Sequence, residues 1–157
     1  YFFSFLIIIY IYNFFGKLFL GDSGAYLIAF LTSFFILDFI KNNDDVSPYL
    51  ICLLLWYPAF ENLFSIIRRR IFKQRVDQPD QNHLHHLIYN FLSKKKFFKR
   101  KIVNTLSANI INLYNIIIFM FFFKYYLYTD ILVKVILLNV LLYLILYFSI
   151  KKKINHF

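Results

Sequence analysis

Apolar and polar stretches alternate along this chain at a spacing that predicts membrane helices. Phe2–Tyr12 is apolar but short for a full span, and reads as the tail of a truncated helix. Asn13–Gly24 follows, with all three glycines of the chain, and reads as a loop meeting a helix start. Apolar runs at about Ala25–Ile40, Pro48–Ile67, Ile102–Phe123 and Ile131–Ile150 then approach the ~20 residues that a helix needs to cross the bilayer core. Between the third and fourth runs of the chain lies its largest polar segment, about Arg68 to Lys101. The pattern predicts an all-α polytopic transmembrane bundle of about five spans. The whole of 1–157 forms one membrane domain in this reading, with loops at about 13–24 and 68–101. Pro48 fits a helix first turn and Pro58 a kink inside the third span. Asn109, Asn112 and Asn115, three apart, predict a polar helix face that meets another helix.

Composition supports a membrane protein and weakens the nucleic-acid alternative. Hydrophobic residues make up 61% of the 157 residues and aromatic ones 23%, against roughly 45–50% apolar in a soluble domain. The net charge of +10 is distributed between membrane-length apolar runs. It therefore reads as topology signal and attraction to anionic lipid headgroups, with no nucleic acid implied. The single cysteine, Cys52, excludes an internal disulfide and reads as a small core residue. Tyr1 opens directly into an apolar run without a charged n-region, so no signal peptide is read there. The chain is expected to begin inside a helix of something longer.

Charge also orients the spans. Fifteen of the eighteen Lys and Arg residues fall on one side of a five-span arrangement: eleven in 68–101, Lys17, and Lys151, Lys152 and Lys153. The positive-inside rule makes that side cytoplasmic, including the C-terminus.

Two segments on that side carry candidate chemistry. In Gly16–Ala25, Asp22 is flanked by Gly21 and by Ser23-Gly24 at the mouth of a helix. Glycines permit close backbone approach, a helix N-terminus favours phosphate, and a carboxylate holds a hard cation such as Mg²⁺. The alternative is that Asp22 only caps the helix. In Asp77–His86, three of the four histidines, His83, His85 and His86, lie within four positions. They suit phosphate contacts beside Arg68, Arg69 and Arg70, or a zinc site lacking an evident fourth ligand, or a solvated turn. Glu61, near the cytoplasmic end of an apolar span, is a functional candidate, or else the partner of Arg68 or another neighbour.

The stretch Gly16–Ala25 resembles the Phe-(Met/Leu)-Gly-Asp-(Ser/Thr/Ala)-Gly motif of the polyprenyl-phosphate N-acetylhexosamine-1-phosphate transferases. Pro58–Arg70 followed by Pro79-Asp80-Gln81-Asn82-His83-Leu84-His85-His86 resembles the second signature of that superfamily. Both motifs occur in order, with membrane spans between them. The resemblance implies the C-terminal part of a ten- or eleven-span protein of the bacterial inner membrane. It implies transfer of a sugar 1-phosphate from a UDP-N-acetylhexosamine to undecaprenyl phosphate, releasing UMP, with Mg²⁺ or Mn²⁺ as cofactor. It assigns Asp22 as metal ligand and catalytic residue, and His83, His85 and His86 as catalytic. Lys17, Gly21, Ser23, Gly24, Glu61, Arg68, Arg69, Arg70 and Asp80 are assigned to substrate binding. Its implied partners are the polyprenyl lipid, the nucleotide sugar and membrane lipids, with a homodimer left open.

Two departures stand out. The paired aspartates that the superfamily carries in its N-terminal half have no equivalent, so the chain alone is expected to be inactive. Glu61 also stands where many members have aspartate, and with Phe60–Ser65 and Pro79-Asp80 it looks closer to the branch that initiates O-antigen. The rival readings are a transporter or channel fragment, a zinc-dependent membrane hydrolase, and a non-catalytic assembly subunit. The position of the charged candidates in loops rather than at mid-membrane disfavours the first.

Overall fold

The computed structural model describes residues 2–73, 82–94 and 100–155. Among these residues the chain is helical without strands. The helices are α1 (Phe2–Phe14), α2 (Gly21–Lys41), α3 (Tyr49–Ile71), α4 (Leu84–Lys94), α5 (Arg100–Phe122) and α6 (Thr129–Asn155), with a short 3-10 turn at Phe123–Tyr125. Gly21–Lys41, Tyr49–Ile71, Ile102–Tyr125 and Thr129–Ile154 are long and apolar enough to cross a membrane. They coincide with the four long runs of the sequence. The 13-residue α1 is shorter, as its run implies. The chain is thus an all-α polytopic membrane protein, folded as two compact units, Tyr1–Asp45 and Val46–Phe157.

In the first unit, α1 ends on a Schellman turn. Gly16 takes the left-handed conformation (φ 64°). Its N–H donates to the Asn13 carbonyl at 2.8 Å, and the Lys17 N–H reaches back to the Tyr12 carbonyl at 2.9 Å. Glycine stops the helix here because any Cβ would crowd that conformation. Residues 17–20 then lead into α2, which buries none of its side chains within this unit.

The second unit is a bundle of α3 to α6. The hydroxyls of Ser47, just before α3, and Thr129, at the start of α6, meet at 2.8 Å. Far along the same two helices, Arg68 meets Tyr147 at 2.6 Å. Hence α3 and α6 run parallel, and the α5 segment that returns the chain runs opposite to both. One face of α3 is buried throughout: Leu50, Leu53 and Trp56, then Glu61, Ser65 and Arg68. Its first half is apolar and its second half polar. Between membrane helices, packing and hydrogen bonds replace the hydrophobic effect as the source of cohesion. The polar half therefore has to be matched by partners, and those partners build the candidate site.

Three expectations are modified. Segment 68–101 contains helix: α3 continues to Ile71, α4 occupies Leu84–Lys94, and α5 begins at Arg100. Leu84 and Leu87 of α4 are buried while Asn90 and Lys94 are exposed, an amphipathic pattern diluted by the flanking charges. Cys52 is exposed on the face of α3 opposite the buried one, so it is not a core residue of this unit. The asparagine stripe of α5 lies only partly on its packing face: Asn109 and Asn115 are half-buried, with Asn115 Oδ1 enclosed. Asn112 is exposed, whereas Val103, Ser107 and Ile111 are buried. A strict spacing of three lags behind the 3.6-residue turn and drifts around the helix.

Candidate functional site

Glu61 organises the second unit. Glu61 is 7% exposed, at the point where the buried face of α3 turns from apolar to polar. A buried carboxylate needs donors on its oxygens. Oε1 accepts from His83 Nδ1 at 2.9 Å and from the Leu84 backbone N–H at 3.1 Å. Oε2 accepts from the Tyr143 hydroxyl at 2.8 Å. Tyr57, one turn earlier on α3, presents its hydroxyl to the same carboxylate. Three elements thus converge on one side chain: α3 supplies it, the start of α4 donates two hydrogen bonds, and α6 donates one.

Arg68, two turns further along the same face of α3, makes a second clamp. Its guanidinium donates to the Asn82 carbonyl at 2.6 Å and to the Tyr147 hydroxyl at 2.6 Å. It also lies 5.8 Å from the Phe64 ring centroid and 5.6 Å from that of Tyr147. Residues 82–84 are therefore gripped at two points by α3, whose Arg68 and Glu61 are themselves held by Tyr147 and Tyr143 of α6. That grip presents the histidines. His83 and His85 stack at 5.7 Å between centroids with an interplanar angle of 11°. His86 lies 4.1 Å from His85. Burial, and then the neighbouring His86 and His83, push the His85 imidazole below its usual range, while Glu61 opposes the shift. His85 is thereby biased toward its neutral form.

The structure brings Glu61, Arg68 and the three histidines together. Both oxygens of Glu61, assigned to substrate binding, accept donors from within the bundle. Arg68 is 4% exposed and engaged inside the bundle. Arg69 is half-buried and Arg70 exposed. Asp80 lies outside the described residues. Among the described residues no group of three or more His, Cys, Asp or Glu is arranged to hold a metal ion. Tyr143 and Tyr147 were not singled out in the sequence. Their spacing of four places two hydroxyls on one face of the aliphatic α6, which is the signal that could have found them.

In the first unit, Asp22 lies exposed in the first turn of α2. The N-cap position is Leu20, without a side-chain cap bond, so Asp22 is not the cap of this helix. Gly21 is left-handed (φ 63°). A Cβ on Gly24 would come within 2.8 Å of Leu20 Cγ. Gly21 therefore answers to the backbone of this turn and Gly24 to the packing of the Leu20 side chain. Lys17 and Ser23 are exposed beside it.

A polytopic helical protein whose α4 is pinned through a buried carboxylate and carries three clustered histidines is the class that fold and site define. Comparison with known proteins narrows it. The chain is 34% identical over 82 residues to a probable undecaprenyl-phosphate N-acetylglucosaminyl 1-phosphate transferase of Bacillus subtilis, covering 51% of this chain and 23% of that protein. It is 30% identical over 108 residues to the undecaprenyl-phosphate alpha-N-acetylglucosaminyl 1-phosphate transferase of Thermotoga maritima, covering 69% of this chain and 36% of that protein. The Escherichia coli K12 protein of the same description is 30% identical over 98 residues, 60% of this chain and 26% of its own length. No family model matches the chain, and no solved structure matches it. These homologues support membership of the polyprenyl-phosphate N-acetylglucosamine-1-phosphate transferase superfamily, in agreement with the paired motifs. The chain spans about a quarter to a third of the length of these relatives.

Proposed function

We propose that these residues form part of an enzyme that transfers N-acetylhexosamine 1-phosphate from a UDP-sugar to undecaprenyl phosphate and releases UMP. The observation that carries this reading is the helix-borne histidine cluster, held in place by Glu61 and Arg68, within a sequence whose homologues are undecaprenyl-phosphate N-acetylglucosaminyl 1-phosphate transferases. Such a reaction brings two polyanions together, so their repulsion has to be neutralised. The imidazoles of α4 orient the nucleotide sugar, and the exposed Arg70 and half-buried Arg69 draw its diphosphate by charge.

Asp22 fits a magnesium ion as one ligand. It is an exposed hard-oxygen donor at a helix N-terminus, and Mg²⁺ commonly takes only one or two carboxylates, with phosphate oxygens and water completing its octahedron. Bound there, the ion would neutralise phosphate charge. In this reading the activity is that of the complete protein, with further acidic residues acting beside Asp22. The reading places the basic ends, 68–101 and the C-terminus, on the cytoplasmic face of a bacterial inner membrane.

The test is exchange of radiolabelled UMP into UDP-N-acetylglucosamine by membranes containing the complete protein. His83→Ala should lower exchange by about 10²-fold, the size of losing one positioned transition-state donor. Undiminished exchange in a stably inserted variant retires the role of α4 in this reaction.

A further inference from the structure

Helix α6 is aliphatic over most of its length, yet it buries two tyrosines four residues apart, Tyr143 and Tyr147. A tyrosine inside a membrane bundle has to place its hydroxyl on a partner. The Tyr147 ring is fully buried. Phe64 meets it in an edge-to-face contact at 4.9 Å between centroids, and Tyr143 stacks on it at 6.1 Å with an interplanar angle of 15°. Ring packing therefore fixes where the hydroxyl sits, because a tyrosine has only two side-chain torsions. Arg68 is the opposite case, a long side chain with many rotamers, whose ordering costs conformational entropy unless something holds it. It sends two hydrogen bonds from one nitrogen, Nη1: one to the Tyr147 hydroxyl and one to the Asn82 carbonyl, each at 2.6 Å. The two hydrogens of that nitrogen lie at a fixed angle in the guanidinium plane. Once the Tyr147 hydroxyl has taken one, the direction of the other is set, and it falls on the residue before His83. The chain enters α4 just beyond Asn82, with His83 at the junction and His85 and His86 in the first turn.

We propose that Tyr147 is a positioning residue for the histidine turn, acting through Arg68: its hydroxyl fixes the roll of the guanidinium, and the guanidinium fixes residue 82. Helix α6, which carries none of the residues of the two sequence motifs, thereby sets where the histidines stand. A lysine at 68 would not transmit the same direction, because an ammonium on a flexible stem has no planar fork. That the histidines so placed serve a sugar-phosphate transfer rests on the transferase reading; the placement does not.

Tyr147→Phe removes the hydroxyl and keeps the packed ring. Hydrogen–deuterium exchange of the full chain in lipid nanodiscs, read by mass spectrometry over residues 84–88, reports how firmly the start of α4 is held. We expect Tyr147→Phe to speed deuterium exchange there by about tenfold or more, the size of losing a hydrogen bond to a charged group. In an Arg68→Lys background the same substitution should add less than about twofold, because a residue that acts through another then has nothing left to act on. The imidazole Cε1–H resonances of the histidine cluster, whose rings lie against one another, should shift in Tyr147→Phe. Ser47→Ala removes the hydroxyl contact between α3 and α6 at their other end and should leave both readouts at wild-type values. Unchanged deuterium exchange or unshifted histidine resonances in Tyr147→Phe overturn the proposal, whether or not Arg68→Lys folds. An equal rise in both backgrounds, or an equal rise in Ser47→Ala, overturns it too, since either makes the hydroxyl a general brace of the bundle. UMP exchange by the complete protein is measured apart from these readouts. A loosened α4 in Tyr147→Phe together with undiminished UMP exchange in His83→Ala supports the positioning role while removing the transferase reading of α4.

Discussion

The chain carries two carboxylates that sequence reading marks as functional, and the structure treats them oppositely. Glu61 is buried, with both oxygens filled by groups from α4 and α6. Asp22 is exposed in the first turn of α2, whose N-cap is a leucine. The first is integrated into the fold; the second contributes little to it and is available for chemistry. The lesson concerns mutational readouts. At Glu61 stability and function are coupled through α4, whereas at Asp22 they separate. A variant that affects one property without the other therefore reports which kind of carboxylate it has removed.

The largest effect is expected at Asp22. Asparagine in the first turn gives up only a modest dipole interaction, about 0.3–1 kcal/mol. It also gives up the formal charge that holds a hard dication beside phosphates. Asp22→Asn in the complete protein should leave thermal stability near wild type and lower UMP exchange by about 10³-fold, in line with the several kcal/mol a catalytic metal ion supplies. Retention of more than about a tenth of the exchange would remove the metal role. It would also make the two carboxylates alike in lacking chemistry.

Next comes Glu61. Glu61→Ala strips partners from the Leu84 amide, the His83 ring and the Tyr143 hydroxyl at once. Removing one partner of a buried charged network costs about 3 kcal/mol or more, so the melting temperature of the detergent-solubilised chain should fall sharply. Glu61→Gln should lose less, about 1 kcal/mol, because it retains an oxygen for the α4 donors. Equal, small losses in the two variants would show that the buried carboxylate is not what ties α4 down.

How much of this was legible in the sequence follows from the physics of each feature. The four long helices could be read from apolar run length alone, because nothing but a helix satisfies its own backbone inside lipid. The functional interest of Glu61, Asp22 and the histidines was legible from residue type and motif. The role of Glu61 was not. Its partners, His83 and Tyr143, lie 22 and 82 residues away, and no local pattern encodes a contact between α3 and α6. Helix α4 was hidden because its short amphipathic face, Leu84, Leu87, Ile88 and Phe91, sits inside a segment whose lysines and arginines dominate any average. Cys52 shows the converse error: an apolar neighbourhood in a membrane helix says nothing about which face is inside.

Gly21 offers a smaller test, confined to the first unit. At φ 63° a Cβ costs about 1–2 kcal/mol, although nothing lies within 4 Å of where it would be built. Gly21→Ala should therefore destabilise through the backbone alone and shift the melting temperature slightly. Gly24→Ala has an ordinary helical backbone and meets only the movable end of Leu20, so it should cost less. If Gly24→Ala proved the more damaging, close packing rather than backbone conformation would govern this turn.

The smallest expected effect is a pH dependence that belongs to α4 and not to α2. His85 is pushed below its usual range first by burial, then by His86 and His83, with Glu61 pulling the other way. In the unfolded chain its imidazole titrates near 6.5. Well above that value both states are neutral at His85, and pH does not matter to it. As pH falls through about 6.5 the unfolded chain takes up a proton that the folded site resists, so the unfolded state binds more protons and stability declines with acidification. The decline continues until pH reaches the depressed folded value and then levels off. His83, His86 and Glu61 face His85, so the wild-type curve alone does not isolate it. The difference between wild type and His85→Gln does. Melting temperatures measured from pH 8 down to pH 5 should fall more steeply in the wild type than in His85→Gln. Parallel curves would mean that protonating His85 costs the folded α4 nothing, and that its burial against the neighbouring rings is relieved by local movement of the helix.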